Sequence, residues 1–257
     1  MRSIMKMAMV TGIVIAISAE KTCGQDTGMF HSFSAGNSSF ILNDASIQPN
    51  DLAGNLFSLN YILLRRSQKR ITRLSAGWEN AALNISKGKL DINSFSVKLT
   101  DAFSLIRDRG QRIKSFVGYS LNLNPSFSKV NSSDNNYYSW NTVNAIGLFQ
   151  SYKYDWYKNG LSLTIDIPVV GAASRPQAIT PYPKSMDGVL YDSYSGLSLI
   201  SLQNYKAVNA SIDYHHSVTD KLGLSVTLQY RYSELETTLP VSQRSVGIQA
   251  GLSFKLK

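Results

Sequence analysis

Residues Lys221–Tyr232 read Lys-Leu-Gly-Leu-Ser-Val-Thr-Leu-Gln-Tyr-Arg-Tyr. Leu222, Leu224, Val226, Leu228, Tyr230 and Tyr232 share one parity; Lys221, Gly223, Ser225, Thr227, Gln229 and Arg231 share the other. Successive side chains of a strand point to opposite faces, so this segment is apolar on one side and polar on the other. After a polar break at Ser233–Gln243 the pattern returns: Val246, Ile248, Ala250, Leu252, Phe254 and Leu256 oppose Ser245, Gly247, Gln249, Gly251, Ser253 and Lys255. Each run is about twelve residues. Soluble strands are usually about five or six residues long, whereas a tilted strand needs about nine to eleven to cross a bilayer. Long strands with small polar residues on one face and aliphatic and aromatic residues on the other are the wall of a transmembrane β-barrel.

Eight further segments carry the same period. Met29–Leu42 is the weakest, interrupted by Gly36 and Asn37. Phe57, Leu59, Tyr61 and Leu63 alternate with Ser58 and Asn60. Ile71–Ile85 changes parity near Ala81, which predicts a bulge there. Phe95, Val97 and Leu99 oppose Ser94, Ser96, Lys98 and Thr100. Val117–Asn124, Trp140–Tyr154, Leu161–Val169 and Val208–His215 complete the set. The expectation is therefore an all-β, up-and-down antiparallel barrel of about ten strands, with eight or twelve as alternatives. If the first strand rises from the periplasm, the second, fourth, sixth and eighth connections should be short: Arg65–Arg70, Ile106–Arg112, Asp155–Gly160 and Ser217–Lys221. The others should be outer loops: Gly36–Gly54, Lys87–Ile92, Pro125–Ser139, Gly171–Ile200 and Ser233–Gln243. Four of these five are longer than every connection in the first group.

The N-terminus has the form of an export signal. Arg2 and Lys6 precede an apolar run from Met7 to Ala19, too short for a membrane helix and suited to a secretory core. Cleavage after Gly24 divides the chain into a signal peptide, 1–24, and a barrel, 25–257; cleavage after Ala19 is the alternative. Cys23 also raises a lipoprotein reading, but Lys21 and Thr22 do not form the small apolar sequence that a lipid-attachment signal has. Removing residues 1–24 takes away three basic residues and one acidic one, so formal net charge falls from +9 to +7. The basic residues form no single patch and no nucleic-acid motif is present, so nucleic acid is not an expected partner. Mean hydropathy is slightly negative, as it is for barrel walls whose alternate residues are polar.

Aromatic residues are expected where hydrocarbon meets water: Tyr152, Tyr154, Trp156 and Tyr157 at one rim, Tyr137, Tyr138, Trp140, Tyr230 and Tyr232 at the other. Arg65, Arg66, Lys69 and Arg70, and likewise Arg107, Arg109 and Arg112, make basic turns suited to anionic head groups. The Pro- and Tyr-rich Gly171–Ile200 segment reads as an exposed loop.

Catalytic chemistry has few candidates. A lipid hydrolase needs a serine beside a histidine held by a third polar group. His31 lies near Ser32 and Ser34, but adjacent strand residues point apart. His215 shares the inward face with Asp213 and Ser211, near a periplasmic turn. No metal-ligand or phosphate-loop pattern occurs, and no cofactor is expected. What remains is the lumen, with Lys98, Asn122, Asp166, Asp213, His215, Gln229, Arg231, Gln249 and Lys255 as lining candidates. Asp166, Asp213 and Arg231 fall on three successive strands, so the interior is either a salt-bridged plug or a narrow polar, porin-like channel.

The leader ending Gly24-Gln25, the Gly251–Leu256 strand and the run Leu163–Pro176, with its Ile-Pro step and Arg175-Pro176 pair, resemble small outer-membrane β-barrels of Bacteroidota-type bacteria. The resemblance implies a Gram-negative outer-membrane location and a barrel fold, and no particular reaction. The chain departs from the usual barrel terminus in ending Phe254-Lys-Leu-Lys257 rather than on an aromatic residue. The expected role is non-enzymatic: a structural or accessory barrel or a narrow pore, with outer-membrane lipids as partners and membership of a larger outer-membrane complex left open. A lipid- or lipopolysaccharide-modifying hydrolase is the first alternative, and a secreted soluble β-sandwich that binds a ligand the second.

Overall fold

The computed structural model describes residues 28–67, 69–86, 88–105, 113–132, 136–176, 191–194 and 196–256. The expected signal peptide and the Arg107–Arg112 turn lie outside them. The strands are β1 (Gly28–Asp44), β2 (Gln48–Arg66), β3 (Arg70–Ile85), β4 (Gly88–Ser104), β5 (Ile113–Ser132), β6 (Asn136–Trp156), β7 (Asn159–Ser174), β8 (Ser198–Ser201), β9 (Tyr205–Ser217), β10 (Leu222–Leu235) and β11 (Val241–Leu256). Sequential strands pair antiparallel except β8 with β9, and β1 pairs with β11, which closes the sheet. β8 and β9 share one wall position: β8 pairs with Val170–Ala173 of β7, and β9 with Asn159–Asp166. The result is a closed up-and-down barrel with ten wall positions. The soluble sandwich gives way here, because one closed sheet turns its apolar residues outward instead of trapping them between two sheets.

Met29 pairs with both Leu256 and Arg65, so the start of β1, the end of β11 and the β2–β3 turn lie at one end, called proximal below. At this end the β6–β7 turn is only Tyr157-Lys158. The strands reach much further the other way. β6 has 21 residues, roughly 70 Å of extended chain, far more than a bilayer requires.

The outward face explains the proximal and middle parts of the wall. Phe33, Leu59, Leu74, Val97, Leu121, Leu148, Leu163, Leu228, Ile248 and Leu252 all stand exposed, Leu148 to 64 %. They form a contiguous apolar belt far larger than water tolerates and stable only against acyl chains. One outward carboxylate, Asp101 on β4, lies among them near the proximal rim, and it is fully satisfied. Arg70 Nε and Nη2 each donate to it at 2.7 Å, Thr72 Oγ1 at 3.0 Å and Tyr119 Oη at 3.3 Å. The proximal aromatic rim is also formed: Tyr154 stacks on Trp156 at 5.4 Å, and Trp156 meets Tyr214 at 6.3 Å. At the opposite rim Trp140 is not a lipid-facing anchor. It is buried against Phe127 and donates from Nε1 to Ser174 Oγ at 3.2 Å.

Towards the distal end the pattern inverts. Leu83, Leu90, Val130 and Leu235 point inward and are almost wholly buried, while Ala82, Asn84 and Lys89 are exposed outside. Asn131 donates to Asp91, and Lys206 pairs with Glu236, on the exterior. This corrects two expectations. The parity change at Ala81 is not a bulge, since the β3–β4 register runs unbroken from Arg70 to Ile85. Strand direction continues while the surroundings exchange: water replaces lipid outside, and a packed core replaces the polar lumen inside. The segments Gly36–Gly54, Lys87–Ile92, Pro125–Ser139 and Ser233–Gln243 are therefore largely strand rather than loop; the β1–β2 connection is only Ala45–Ile47. A register shift does occur at Ile146/Gly147, where Val169 is the extra residue beside Pro168. Proline cannot donate to the ladder, and a bulge is where a wall accommodates it.

Candidate functional site

Three layers fill the barrel. The distal layer is an apolar core of Phe40, Leu42, Leu52, Leu56, Leu83, Leu90, Ile92, Val130, Val143, Leu235 and Val241, among others. The proximal layer is one-sided: Ile71, Ala102, Phe116 and Phe149 pack against Leu64 on the β2–β6 half of the wall. The facing half, from β7 round to β1, presents small residues such as Gly160, Ser162, Ser225 and Ser253. Between and beside these layers lies a cavity of about 430 Å³.

The lining residues expected from sequence fall on the inward parity, most of them in the middle layer. Lys98 on β4 reaches across to Asp166 on β7, Nζ to Oδ2 2.5 Å. Asp166 is 1 % exposed and also accepts from Ser120 Oγ at 2.5 Å. Asn122 Nδ2 donates to that same Ser120 oxygen at 3.1 Å. Gln249 is a hub. Its Oε1 accepts from Ser34 Oγ at 3.3 Å and Asn60 Nδ2 at 3.2 Å; its Nε2 donates to Ser58 Oγ and Gln229 Oε1, each at 3.2 Å. This requires Gly36 directly opposite on β1, where an added Cβ would stand 2.6 Å from Gln249 Cγ and 2.2 Å from the Ile248 oxygen.

The predicted Asp166–Asp213–Arg231 cluster does not form. Arg231 crosses the lumen to Glu79 on β3, Nη2 to Oε1 2.5 Å. Asp213 instead accepts from Ser211 at 3.0 Å and Thr227 at 2.6 Å. The reason is tilt: neighbours in sequence order are offset along the axis, whereas long side chains on distant strands meet across a narrow bore. Glu79, a partner that strand-by-strand reading missed, was legible only as an acidic residue on the inward parity of β3. Lys255 lies at the proximal mouth, 5.7 Å above the Phe30 ring. His215 Nε2 is 3.4 Å from Ser217 Oγ. His31 turns outward, its Nδ1 2.5 Å from Tyr61 Oη, while Ser34 turns inward to Gln249.

Over the distal core, Arg175 leaves the end of β7 and pairs with Asp44 at the tip of the β1–β2 hairpin, Nη2 to Oδ1 2.7 Å, with side chains 4 % and 8 % exposed. Ser46 supports Asp44 through its backbone N–H at 2.9 Å and its Oγ at 2.6 Å. The strut joins distant parts of the wall across the mouth. The Gly171–Ile200 segment is thus anchored at its start rather than simply exposed; residues 177–190 lie outside the described set. Arg175→Ala should lower unfolding free energy by about 1–3 kcal/mol, because Asp44 keeps its Ser46 bonds but loses its counter-charge. Limited proteolysis of the folded barrel should then cut near Arg175 sooner than in the parent, and unchanged cutting would mean that the strut holds nothing.

No protein-family model and no curated protein matches the chain. Among solved structures it is similar to the outer membrane protease OmpT of Escherichia coli, with a TM-score of 0.59 and 9 % identity over 93 % of this chain and 100 % of that one. It also matches neisserial surface protein A, at TM-score 0.39 and 13 % identity, covering 88 % of this chain and 97 % of that one. Ail of Yersinia pestis matches at TM-score 0.38 and 10 % identity, covering 88 % and 99 %. The fold is that of bacterial outer-membrane β-barrels; at these identities the likeness extends to the fold alone.

Proposed function

We propose that this chain is a non-enzymatic outer-membrane barrel of a Gram-negative bacterium, exported by its N-terminal signal and serving a structural or accessory role with a closed interior. The observation that carries this reading is the distal core: fifteen buried apolar residues, contributed by strands all round the wall, pack into one cluster across the distal bore. Below it the Lys98–Asp166 and Arg231–Glu79 pairs span the lumen. Ions would have to cross a dry constriction, and a dry apolar constriction excludes them. In this reading the proximal end faces the periplasm and the belt contacts outer-membrane lipid. The Bacteroidota-type resemblance agrees with it.

The placement of His31 and Asp213 supports a non-enzymatic reading. His31 faces lipid, away from Ser34, and Asp213 is held by hydroxyls of its own and the next strand. That the Escherichia coli barrel is a protease bears on that protein only. The test is conductance. Folded protein, verified by heat-modifiable gel migration, should give no stepwise current in planar bilayers. Reproducible single-channel steps would overturn the closed reading in favour of a pore.

A further inference from the structure

The outward face carries excess positive charge at the β2–β3 turn. Arg65, Thr72, Asp101 and Tyr119 are cross-strand neighbours in one row from β2 to β5, and all four lie on the outward parity. Asp101 is closed by Arg70, Thr72 and Tyr119. Arg65, at the end of that row, is exposed and makes no ion pair among the described residues; Lys69, exposed in the turn, makes none either. Arg70 precedes Thr72 by two residues on the same face, diagonal to Arg65, and diagonal neighbours of a sheet lie within about 8 Å. The Arg70 guanidinium is already fixed in place. Its Nε and Nη2 are bound to Asp101, and its central carbon stands 5.2 Å from the centre of the Phe103 ring. The side chain is nevertheless 55 % exposed, and Nη1 bonds to none of the described residues.

Three cations and one carboxylate leave this patch two positive charges in excess. The β10–β11 side of the same rim presents Leu222, Phe254 and Leu256 outward, so the charge is local rather than a girdle. Apolar side chains surround it: Met29, Leu74, Phe103 and Leu105 are exposed to 39, 42, 50 and 64 %. An inorganic anion would meet the cations and leave these residues in water, whereas a lipid covers both, its phosphate on the guanidinium groups and its chains on the apolar wall. A zwitterionic headgroup brings an ammonium that the same cations repel. We propose that the outward face of the β2–β3 turn binds an anionic phospholipid. Its phosphodiester lies between Arg65 and Arg70 with Lys69 beside it, and its acyl chains run over Leu63 and Leu74 further into the belt. Asp101 is then a positioning residue that holds the Arg70 fork at the headgroup. The proposal rests on the belt facing lipid, and it stands whether or not the barrel conducts.

The full chain, folded in uncharged detergent, is titrated with short-chain phosphatidylglycerol. Short-chain phosphatidylcholine and inorganic phosphate are the comparators at equal ionic strength. Calorimetry and the temperature of the heat-induced gel shift are the readouts. The expected result is saturable binding and a raised unfolding temperature with phosphatidylglycerol, and neither with the other two. Arg65→Gln and Lys69→Gln should each weaken that binding about 5- to 10-fold. Both should leave the unfolding temperature of the lipid-free protein unchanged, because neither side chain has a partner to lose, and a merely structural role would lower it. A parent chain without a heat-induced gel shift would overturn the barrel and this site together. A folded barrel that answers none of the three, answers phosphatidylcholine or inorganic phosphate as strongly, or binds phosphatidylglycerol undiminished in both variants overturns the lipid site alone.

Discussion

Lys98→Ala should destabilise the folded barrel by about 3–5 kcal/mol, the cost of leaving a buried carboxylate without its counter-charge. Asp166 keeps Ser120 and a long contact from Asn122 Nδ2 at 3.5 Å, but neutral donors do not supply the counter-charge for a group that is 1 % exposed. The pair itself contributes less than this difference suggests, because its own desolvation offsets much of the attraction. The double variant Lys98→Met/Asp166→Asn should therefore recover most of the loss. Urea unfolding in lipid vesicles, followed by tryptophan fluorescence, measures both. A single-variant loss under about 1 kcal/mol, the range of exposed pairs, would mean that Asp166 is solvated and the middle layer is wet.

Leu90→Ala should cost about 2–5 kcal/mol, since its side chain is fully enclosed in the distal core and deletion leaves a cavity that strands cannot collapse to fill. Leu99→Ala, only nine residues along the same strand, is the control. Leu99 points outward and is 39 % exposed within the belt, so acyl chains close around the smaller side chain and no cavity remains. The loss should be clearly smaller. Equal losses would mean that the two leucines share one environment, and the inversion of inside and outside along β4 would be wrong. The same unfolding assay reads both variants.

That inversion explains what was legible in the sequence. Within the belt, a lipid exterior and a polar lumen impose opposite chemistry on alternate residues, so β10 and β11 were readable residue by residue. Every lining candidate from Lys98 to Lys255 falls on the inward parity. Beyond the belt both environments change, and Phe40, Leu42, Leu83 and Leu90 carry apolar character onto the inward face. A reader who follows apolar residues sees a broken strand or a loop there, although the ladder continues. Cross-lumen pairing was illegible for a different reason. The Arg231–Glu79 and Arg175–Asp44 contacts depend on tilt and bore, which no single strand encodes.

The most direct test of the account is the lipid contact of alternate residues along β10. In a chain lacking Cys23, single cysteines at Leu224, Ser225, Val226, Thr227, Leu228 and Gln229 are labelled with an environment-sensitive fluorophore after folding into vesicles containing brominated lipid. Quenching should alternate, strong at Leu224, Val226 and Leu228 and weak at Ser225, Thr227 and Gln229. Uniform quenching, or strong quenching at the serine, threonine and glutamine positions, would contradict the lipid-facing belt and the barrel built on it.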